Sequence, residues 1–251
     1  GHSMIDAMIS IVPESWVMHA PALVVVIPML AGPFCAFLPN GRLAWIVSIL
    51  ATGASTLMAL VLLRQVQALP DGGVISYAMG GWAPPAGIEF RIDALNSVVI
   101  LLVCAMGFLS SIFAWPTVKA EIRRAKKAMF FGTFLICFCG LLGVAATADA
   151  FNLFVFLEIS SLATYVLVAL GAGRDRRALP AAGNYLLLGT IGAALFVVGV
   201  GFLYGATGTL NMAELTVFMR EIPDNKAVMA GYAFIFVGLG IKAAMFPLHQ
   251  W

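Results

Sequence analysis

Residues 128–170 decide the fold and read AMFFGTFLICFCGLLGVAATADAFNLFVFLEISSLATYVLVAL. The stretch carries only two charged residues, Asp149 and Glu158. A helix that crosses the roughly 30 Å hydrocarbon core of a bilayer needs about 20 predominantly apolar residues. The stretch is therefore long enough for two consecutive membrane-spanning helices, with the turn between them near Asp149.

The composition of the whole chain agrees with a membrane location. Of 251 residues, 62% are hydrophobic and 10% are charged, and the mean hydropathy is +1.00. Soluble domains have about 45–50% apolar and about 25% charged residues. This composition excludes a soluble enzyme, a disordered chain and a nucleic-acid binder. The four cysteines match neither a disulfide framework nor a redox or zinc motif, and we interpret them as buried thiols.

Seven apolar stretches have the length of a membrane span. They lie at approximately 22–38, 43–63, 94–115, 128–148, 150–170, 181–204 and 227–247. The predicted fold class is therefore all-α, a polytopic bundle of about seven transmembrane helices. Residues 1–21 are predicted to form an external N-terminus, and residues 22–127 are predicted to contain three leading spans.

Two connections are long enough to carry structure of their own. The loop at 64–93 has turn signals at Asp71-Gly72-Gly73, Gly80-Gly81 and Pro84-Pro85 around short alternating runs, which predicts a hairpin-like external loop. The loop at 205–226 contains an amphipathic pattern near 211–221, which predicts a short helix.

Basic residues are distributed unequally between the two sides of this bundle. One side carries nine of them: Arg42, Lys119, Arg123, Arg124, Lys126, Lys127, Arg174, Arg176 and Arg177. The other side carries four: Arg64, Arg91, Arg220 and Lys226. The positive-inside rule places the first side in the cytoplasm and the N-terminus outside.

Two ionisable residues lie well inside apolar spans, Glu158 in the fifth and Lys242 in the seventh. A charge at the centre of a membrane helix costs about 2.5–3.5 kcal/mol unless it meets a partner or water. A static ion pair that only holds helices together is one interpretation. A role in moving protons or ions is the other, and we favour it because Ser161 and Tyr165 lie on the same helix face as Glu158. Ser160, Thr164 and Asn152 are predicted to point elsewhere.

The seventh span is predicted to break after Lys242. Pro247 has no N–H to donate to the carbonyl of Ala243, so a helix through this point must kink or end. Broken helices inside a membrane are common where ions bind. If helical spacing persisted, His249 would lie on the face of Lys242, and we consider it a further proton-relay candidate.

The sequence contains no cluster of metal ligands, no nucleophile triad and no cofactor motif, so no cofactor is expected. Gly199-x-Gly201 with Gly205 lies inside an apolar span, and not in the strand–turn–helix unit of a dinucleotide site. We interpret Gly201 and Gly205 as a close helix-packing surface.

Three segments together resemble the antiporter-like subunit family. They are residues 149–160 (DAFNLFVFLEIS), 208–215 (GTLNMAEL) and 241–251 (IKAAMFPLHQW). The family includes D-type subunits of multisubunit Mrp cation/proton antiporters, membrane-bound hydrogenase subunits and proton-pumping subunits of complex I. By this resemblance, Glu158 and Lys242 correspond to the family's proton-handling Glu–Lys pair, and His249 to the histidine after its broken helix.

The resemblance also implies an architecture and a set of partners. Family members are about twice as long, with two inverted five-helix repeats after three leading helices. Residues 128–251 would be an incomplete first repeat, in a truncated chain or one product of a split gene. Other membrane subunits, protons, a monovalent cation with sodium as the expected one, and the lipid bilayer are the implied partners. The implied location is the bacterial inner membrane.

Three functions are compatible with these features. The first is the membrane subunit of a monovalent cation/proton antiporter, a transporter without chemistry of its own. The second is a proton-pumping subunit of a complex I-like NADH-quinone oxidoreductase or a membrane-bound hydrogenase, where redox chemistry belongs to other chains. The third is a structural membrane module.

Overall fold

The structure is a computed structural model and describes residues 4–70, 72–222 and 224–250. Asp71 of the predicted turn and Trp251 of the family motif lie outside these ranges.

The described chain is mostly helical, as predicted. Its helices are α1 (Met4–Ile9), α2 (Glu14–Met18), α3 (Ala20–Ala36), α4 (Gly41–Gln67), α5 (Ala94–Glu121), α6 (Lys127–Ala146), α7 (Ala150–Leu170), α8 (Ala178–Thr207), α9 (Met212–Glu221) and α10 (Lys226–Lys242). Between α4 and α5, strands β1 (Ile75–Ala78) and β2 (Glu89–Ile92) pair antiparallel, with Ile75 opposite Ile92. The predicted hairpin and the predicted short helix, α9, are both confirmed.

Five helices in the described ranges, α4 to α8, are long and apolar enough to cross a membrane. The first and seventh predicted spans correspond to α3 and α10, which have 17 residues each. At 1.5 Å per residue each of these is about 26 Å long, which is the lower limit for a span. The prediction of about seven spans is therefore not fully confirmed.

Helix α3 continues through Pro28 because a neighbouring helix replaces the missing partner. Pro28 has no N–H to donate, which frees the carbonyl of Val24 one turn earlier. The Ser55 hydroxyl of α4 donates to that carbonyl at 3.1 Å. All three residues are buried, so this bond satisfies a backbone group that has no access to water.

Short polar side chains begin several of the helices. Asp93 forms a capping box with Asn96 at the start of α5, and Asn211 and Asn225 cap α9 and α10. The Asp149 carboxylate accepts from the Asn152 N–H at 2.7 Å, which confirms that Asp149 caps α7.

Helix α7 lies between two groups of helices, α3 to α6 on one side and α8 to α10 on the other. Helices α3 to α6 pack on one another with two apolar cores between them, and α7 packs on α6 on one side and on α8 on the other. A third core joins α7 to α8, α9 and α10. Helix α7 therefore presents Glu158 close to α10, the helix that carries Lys242.

Helices α8 and α10 approach closely at glycines one heptad apart. Gly192 and Gly199 of α8 face Gly238 and Gly231 of α10, and a Cβ added to Gly238 would lie 2.6 Å from the Gly192 carbonyl oxygen. At Gly201 and Gly205, the predicted packing surface, no described atom beyond the adjoining stretch of α8 lies within 4 Å of an added Cβ, so none of the described helices packs there. The orientation of α8 decides which of its glycines meet a neighbouring helix.

One end of the bundle, here called the hairpin end, joins three loops by hydrogen bonds. The Glu89 backbone carbonyl of β2 accepts from the N–H of Ala148, and the Ala148 carbonyl accepts from the N–H of Met212. The buried Glu89 carboxylate accepts from Ser76 and, at 2.7 Å, from Asn211. These bonds place the loops at 64–93 and 205–226 at the same end, as the parity of the spans predicts.

The opposite end, here called the basic end, contains the two basic loops. Arg174 forms an ion pair with Glu121 at 3.2 Å, which ties the loop after α7 to the end of α5. Arg177 donates to Asp175 and holds the pKa of that carboxyl below its usual value. The prediction that these loops share one side is confirmed, and the side of the membrane that they face stays a prediction.

Candidate proton-relay site

Glu158 and Lys242, although 84 positions apart in sequence, meet between α7 and α10. The Lys242 Nζ lies 3.8 Å from Glu158 Oε1 and donates a hydrogen bond to Ser161 Oγ at 2.9 Å. The side chain of Lys242 is 13% exposed and that of Glu158 is 26% exposed in the protein alone. The amine is therefore held by the hydroxyl and attracted by the carboxylate, with no direct hydrogen bond between the two charged groups.

The way in which α10 ends positions Lys242. The N–H of Ala244 donates to the Ile241 carbonyl, and the N–H of Met245 donates to the Gly240 carbonyl, which is a Schellman C-cap. Ala244 has the left-handed φ of 53° that this motif requires. The sequence predicts a break of this span after Lys242, at Pro247, and α10 ends at Lys242 itself because this cap turns the chain away one turn before the proline.

This helix end suits a cation. Side chains lean toward the N-terminus of their helix, so Lys242 reaches back along α10 toward Glu158 and Ser161. The carbonyl end of a helix also carries partial negative charge, which stabilises an ammonium in the last turn. Lys242 is the last residue of α10, and its ammonium reaches back to the Ser161 hydroxyl.

His249 follows Lys242 by seven residues and lies beyond the end of α10. Helical spacing does not persist beyond Lys242, so the condition for a shared face is not met. The His249 side chain is exposed, and its ring stacks on Phe246 with 5.4 Å between centroids. Its role in proton transfer stays a prediction.

A cavity of about 140 Å³ lies beside the Lys242 amine. Its lining residues come from α7, α8 and α10: Leu157, Ser160, Ser161, Tyr185, Gly189, Ile241 and Lys242. A cavity needs only about 10–15 Å³ by this kind of measure to hold one water, so there is room for several. Because hydroxyls and an ammonium line part of it, the cavity can hold water in hydrogen-bonded positions.

Two buried oxygens at this site have no hydrogen-bond partner within the described ranges, Glu158 Oε1 and the Tyr165 hydroxyl. The Ser161 hydroxyl lies beside Tyr165 without forming a hydrogen bond of good geometry. Orphaned buried polar atoms are rare in proteins and often mark positions where water or a proton exchanges. Glu158, Ser161 and Tyr165 thus form a polar face along α7, as their spacing predicts.

Sequence reasoning missed two residues of the site, Tyr185 and Gly189. Gly189 gives the Tyr165 hydroxyl its space, because a Cβ at position 189 would overlap that oxygen. Tyr185 packs edge-on against Tyr165 with ring centroids 4.8 Å apart. Neither residue is unusual within an apolar helix, and only the packing of α8 on α7 reveals them.

The three other polar residues predicted on α7, Ser160, Thr164 and Asn152, have different surroundings. Ser160 was predicted to point away from this face, but it lines the same cavity while its hydroxyl donates to the Leu157 carbonyl. Thr164 contacts the Cys137 sulfur of α6 at 3.5 Å, and Asn152 accepts from Thr147 near the helix start. These last two therefore serve helix packing and helix capping.

The described residues of the site carry titratable and hydrogen-bonding groups. No group of three His, Cys, Asp or Glu side chains in those ranges is arranged to hold a metal ion. The four cysteines are free thiols, three of them buried and Cys137 half-buried. What the site offers is a carboxylate, an amine and hydroxyls next to a cavity.

The sequence of this region matches a known family. Residues 147–251 match the family model described as NADH:quinone oxidoreductase/Mrp antiporter, TM. This part of the chain is therefore similar to a family of antiporter-like membrane subunits. The match includes both charged residues of the candidate site.

Curated relatives cover more of the chain. NADH-quinone oxidoreductase subunit N of Desulforudis audaxviator is 40% identical over 93% of the chain and 46% of that relative. The D-type subunit of the Na⁺/H⁺ antiporter of Bacillus subtilis is 29% identical over 91% of the chain and 45% of that relative. The chain thus spans a little under half the length of the curated relatives it matches.

Solved structures share the fold. In the archaeal membrane-bound sulfane sulfur reductase, a chain that is 34% identical superposes with a TM-score of 0.82, covering 92% of this chain and 46% of that one. In the Mrp complex from Dietzia sp. DQ12-45-1b, a chain that is 26% identical superposes with a TM-score of 0.80, covering 94% of this chain and 42% of that one. With its long apolar helices, the chain is an integral, multi-pass membrane protein.

Proposed function

We propose that this chain is a membrane subunit of a multisubunit monovalent cation/proton antiporter and that it moves protons through Glu158 and Lys242. The observation that carries the proposal is the loose pairing of the two charges. The Lys242 amine is hydrogen-bonded to Ser161, lies 3.8 Å from Glu158 Oε1 and borders a cavity with room for water. A purely structural ion pair favours direct hydrogen bonds and dry packing.

The proposed step is a proton exchange in which charge is conserved. The Lys242 ammonium gives one proton to a water in the cavity and becomes an amine, and the protonated water passes one proton on to the Glu158 carboxylate, which becomes a carboxylic acid while neutral water is regenerated. At about 4 Å, opposite charges attract by about 4 kcal/mol at an effective dielectric constant near 20. Moving the amine toward Ser161 or toward Glu158 therefore changes the proton affinity of both groups, which couples proton transfer to motion of α10.

The test is proton or cation flux per assembled complex. We expect Glu158→Gln and Lys242→Ala to reduce flux about 100-fold or more, the range typical for loss of a positioned acid or base. Glu158→Asp should retain part of the flux, because a carboxylate remains. Lys226→Ala, at the exposed other end of α10, is the matched control and should leave flux unchanged.

A structural ion pair makes the opposite prediction. Removing one partner would leave an unpaired buried charge and impair assembly, whereas an apolar pair at positions 158 and 242 would be tolerated. Full flux in the double variant Glu158→Leu/Lys242→Leu would refute the proton relay.

A second candidate function is a proton-pumping subunit of a complex I-like oxidoreductase, favoured by the 40% identity to a subunit N. The two functions differ in what drives the flux. An antiporter exchanges protons for a cation such as sodium across a gradient, whereas a redox pump needs electron transfer in partner chains. Flux that follows an imposed sodium gradient without any electron donor supports the antiporter.

Several broader features belong to the same proposal. Other membrane subunits complete the assembly, as in the Mrp and sulfane sulfur reductase complexes that share the fold. Residues 22–127 contribute the leading spans and residues 128–251 the first repeat of the ion-translocating bundle. The basic end faces the cytoplasm of a bacterium, the N-terminus lies outside, and His249 is a further relay member.

A further inference from the structure

Two aromatic rings lie on the basic-end side of the cavity beside Lys242. Of the cavity-lining residues on α8, Tyr185 lies one turn nearer that end than Gly189. On α7, Tyr165 lies one turn beyond Ser161 in the same direction, and its ring packs edge-on against Tyr185. The tyrosine pair therefore stands between the cavity and the basic loops.

The two rings are tightly packed, and the Tyr165 ring places a polar hydroxyl among the helices beside the cavity. The Tyr165 hydroxyl is buried at Gly189, in the space that a Cβ there would occupy, and it has no hydrogen-bond partner within the described ranges. A tyrosine ring can be displaced by a change of side-chain rotamer, which requires no movement of the helix that carries it.

We infer that Tyr165 and Tyr185 form a gate through which water and protons pass between the basic end and the cavity at Lys242. This inference rests on the proposed function, because it assigns an access route to that same site. The closed gate separates Lys242 from bulk water, and the open gate connects them by hydrogen-bonded water. Hydrophobic constrictions in membrane channels control passage by excluding water from the pore.

The experiment measures access to the cavity directly and needs no transport. Ser160 lines the cavity, and Ser160→Cys places a thiol there with little change of volume. In the assembled complex, with the four native cysteines replaced by serine or alanine, the rate at which a small cationic methanethiosulfonate modifies this thiol is recorded. Tyr185→Ala should raise the rate about tenfold or more by removing the obstructing ring.

Two controls separate the gate from general loosening. Tyr185→Phe keeps the ring and should leave the modification rate unchanged. Tyr204→Ala removes an exposed tyrosine from the same helix and should also leave it unchanged. If Tyr185→Ala does not assemble, Tyr165→Ala removes the other ring and should raise the rate similarly. The proposed gate is refuted if the thiol modification rate is unchanged in both Tyr185→Ala and Tyr165→Ala. It is also refuted if Tyr204→Ala raises that rate as much as Tyr185→Ala does.

The gate and the proposed function fail in different ways. If ring removal accelerates modification while Glu158→Gln retains full flux, the cavity is gated but the proton relay is wrong. If Glu158→Gln abolishes flux while ring removal leaves modification unchanged, the relay stands and water reaches it by another route.

Discussion

The glycine contacts between α8 and α10 determine how accurately Lys242 is placed, and Gly238→Ala tests this directly. The added Cβ would lie 2.6 Å from the Gly192 carbonyl oxygen and 2.8 Å from the Phe196 nitrogen, both backbone atoms that cannot rotate away. Ordinary contact begins at 3.4 Å, so the helices must separate by about 0.8 Å. Overpacking of this kind costs about 1–3 kcal/mol.

The matched control is the same substitution at an open position. Gly201→Ala on α8 meets no described atom within 4 Å, so it should only gain the helix preference of alanine over glycine, about 0.8–1 kcal/mol. The two variants are therefore expected to change stability in opposite directions. Because Gly238 lies one turn before Lys242, the clash should also displace the amine from Ser161.

The assay is the apparent unfolding midpoint of the assembled complex in detergent, by heat and by denaturant, with flux measured on the same preparations. We expect a lower midpoint and reduced flux for Gly238→Ala, and a midpoint equal to or above that of the parent with unchanged flux for Gly201→Ala. Equal midpoints for the two variants would refute the argument that close backbone packing at Gly238 positions Lys242.

Two further predictions concern the chain after Lys242 and the orientation of the bundle. Ala244 has a φ of 53°, so Ala244→Gly should stabilise the protein by about 1 kcal/mol in the same unfolding assay, whereas Ala243→Gly, at a φ of −81°, should not. Single cysteines at the exposed positions Ala120 and Trp82, at opposite ends of the bundle, should react with an impermeant thiol reagent from opposite faces of the membrane, Trp82→Cys from outside. Labelling of both from one face would contradict the predicted topology.

Much of the fold was predictable because membrane helices obey a local rule. Backbone groups in the hydrocarbon core must be hydrogen-bonded, and a helix satisfies nearly all of them within its own segment, so apolar length alone locates α4 to α8. Turn residues located the β1–β2 hairpin, and the amphipathic pattern located α9, for equally local reasons. Predictions at helix ends were less accurate, because α10 ends at a cap that depends on the conformation of Ala244 and not on Pro247 alone.

The candidate site was only partly predictable. Glu158 and Lys242 stand out because a charge in an apolar helix is costly wherever it lies. Tyr185 and Gly189 do not stand out, because aromatic residues and glycine are ordinary in membrane helices. Their importance depends on which face of α8 meets α7, and the hydrophobicity of α8 is too uniform around the helix to show that face.

By itself, the sequence determined that this is a bundle of membrane helices, which loops share an end, and that two charges lie at membrane depth. Those properties follow from composition, length and charge counts, which are local or additive along the chain. The tertiary structure decided that Lys242 bonds to Ser161 at 2.9 Å while it remains 3.8 Å from Glu158, and that Gly192 and Gly238, not Gly201 and Gly205, bring helices together. Such facts depend on the rotation of each helix about its axis, and that rotation is set by how side chains of different helices fit against one another.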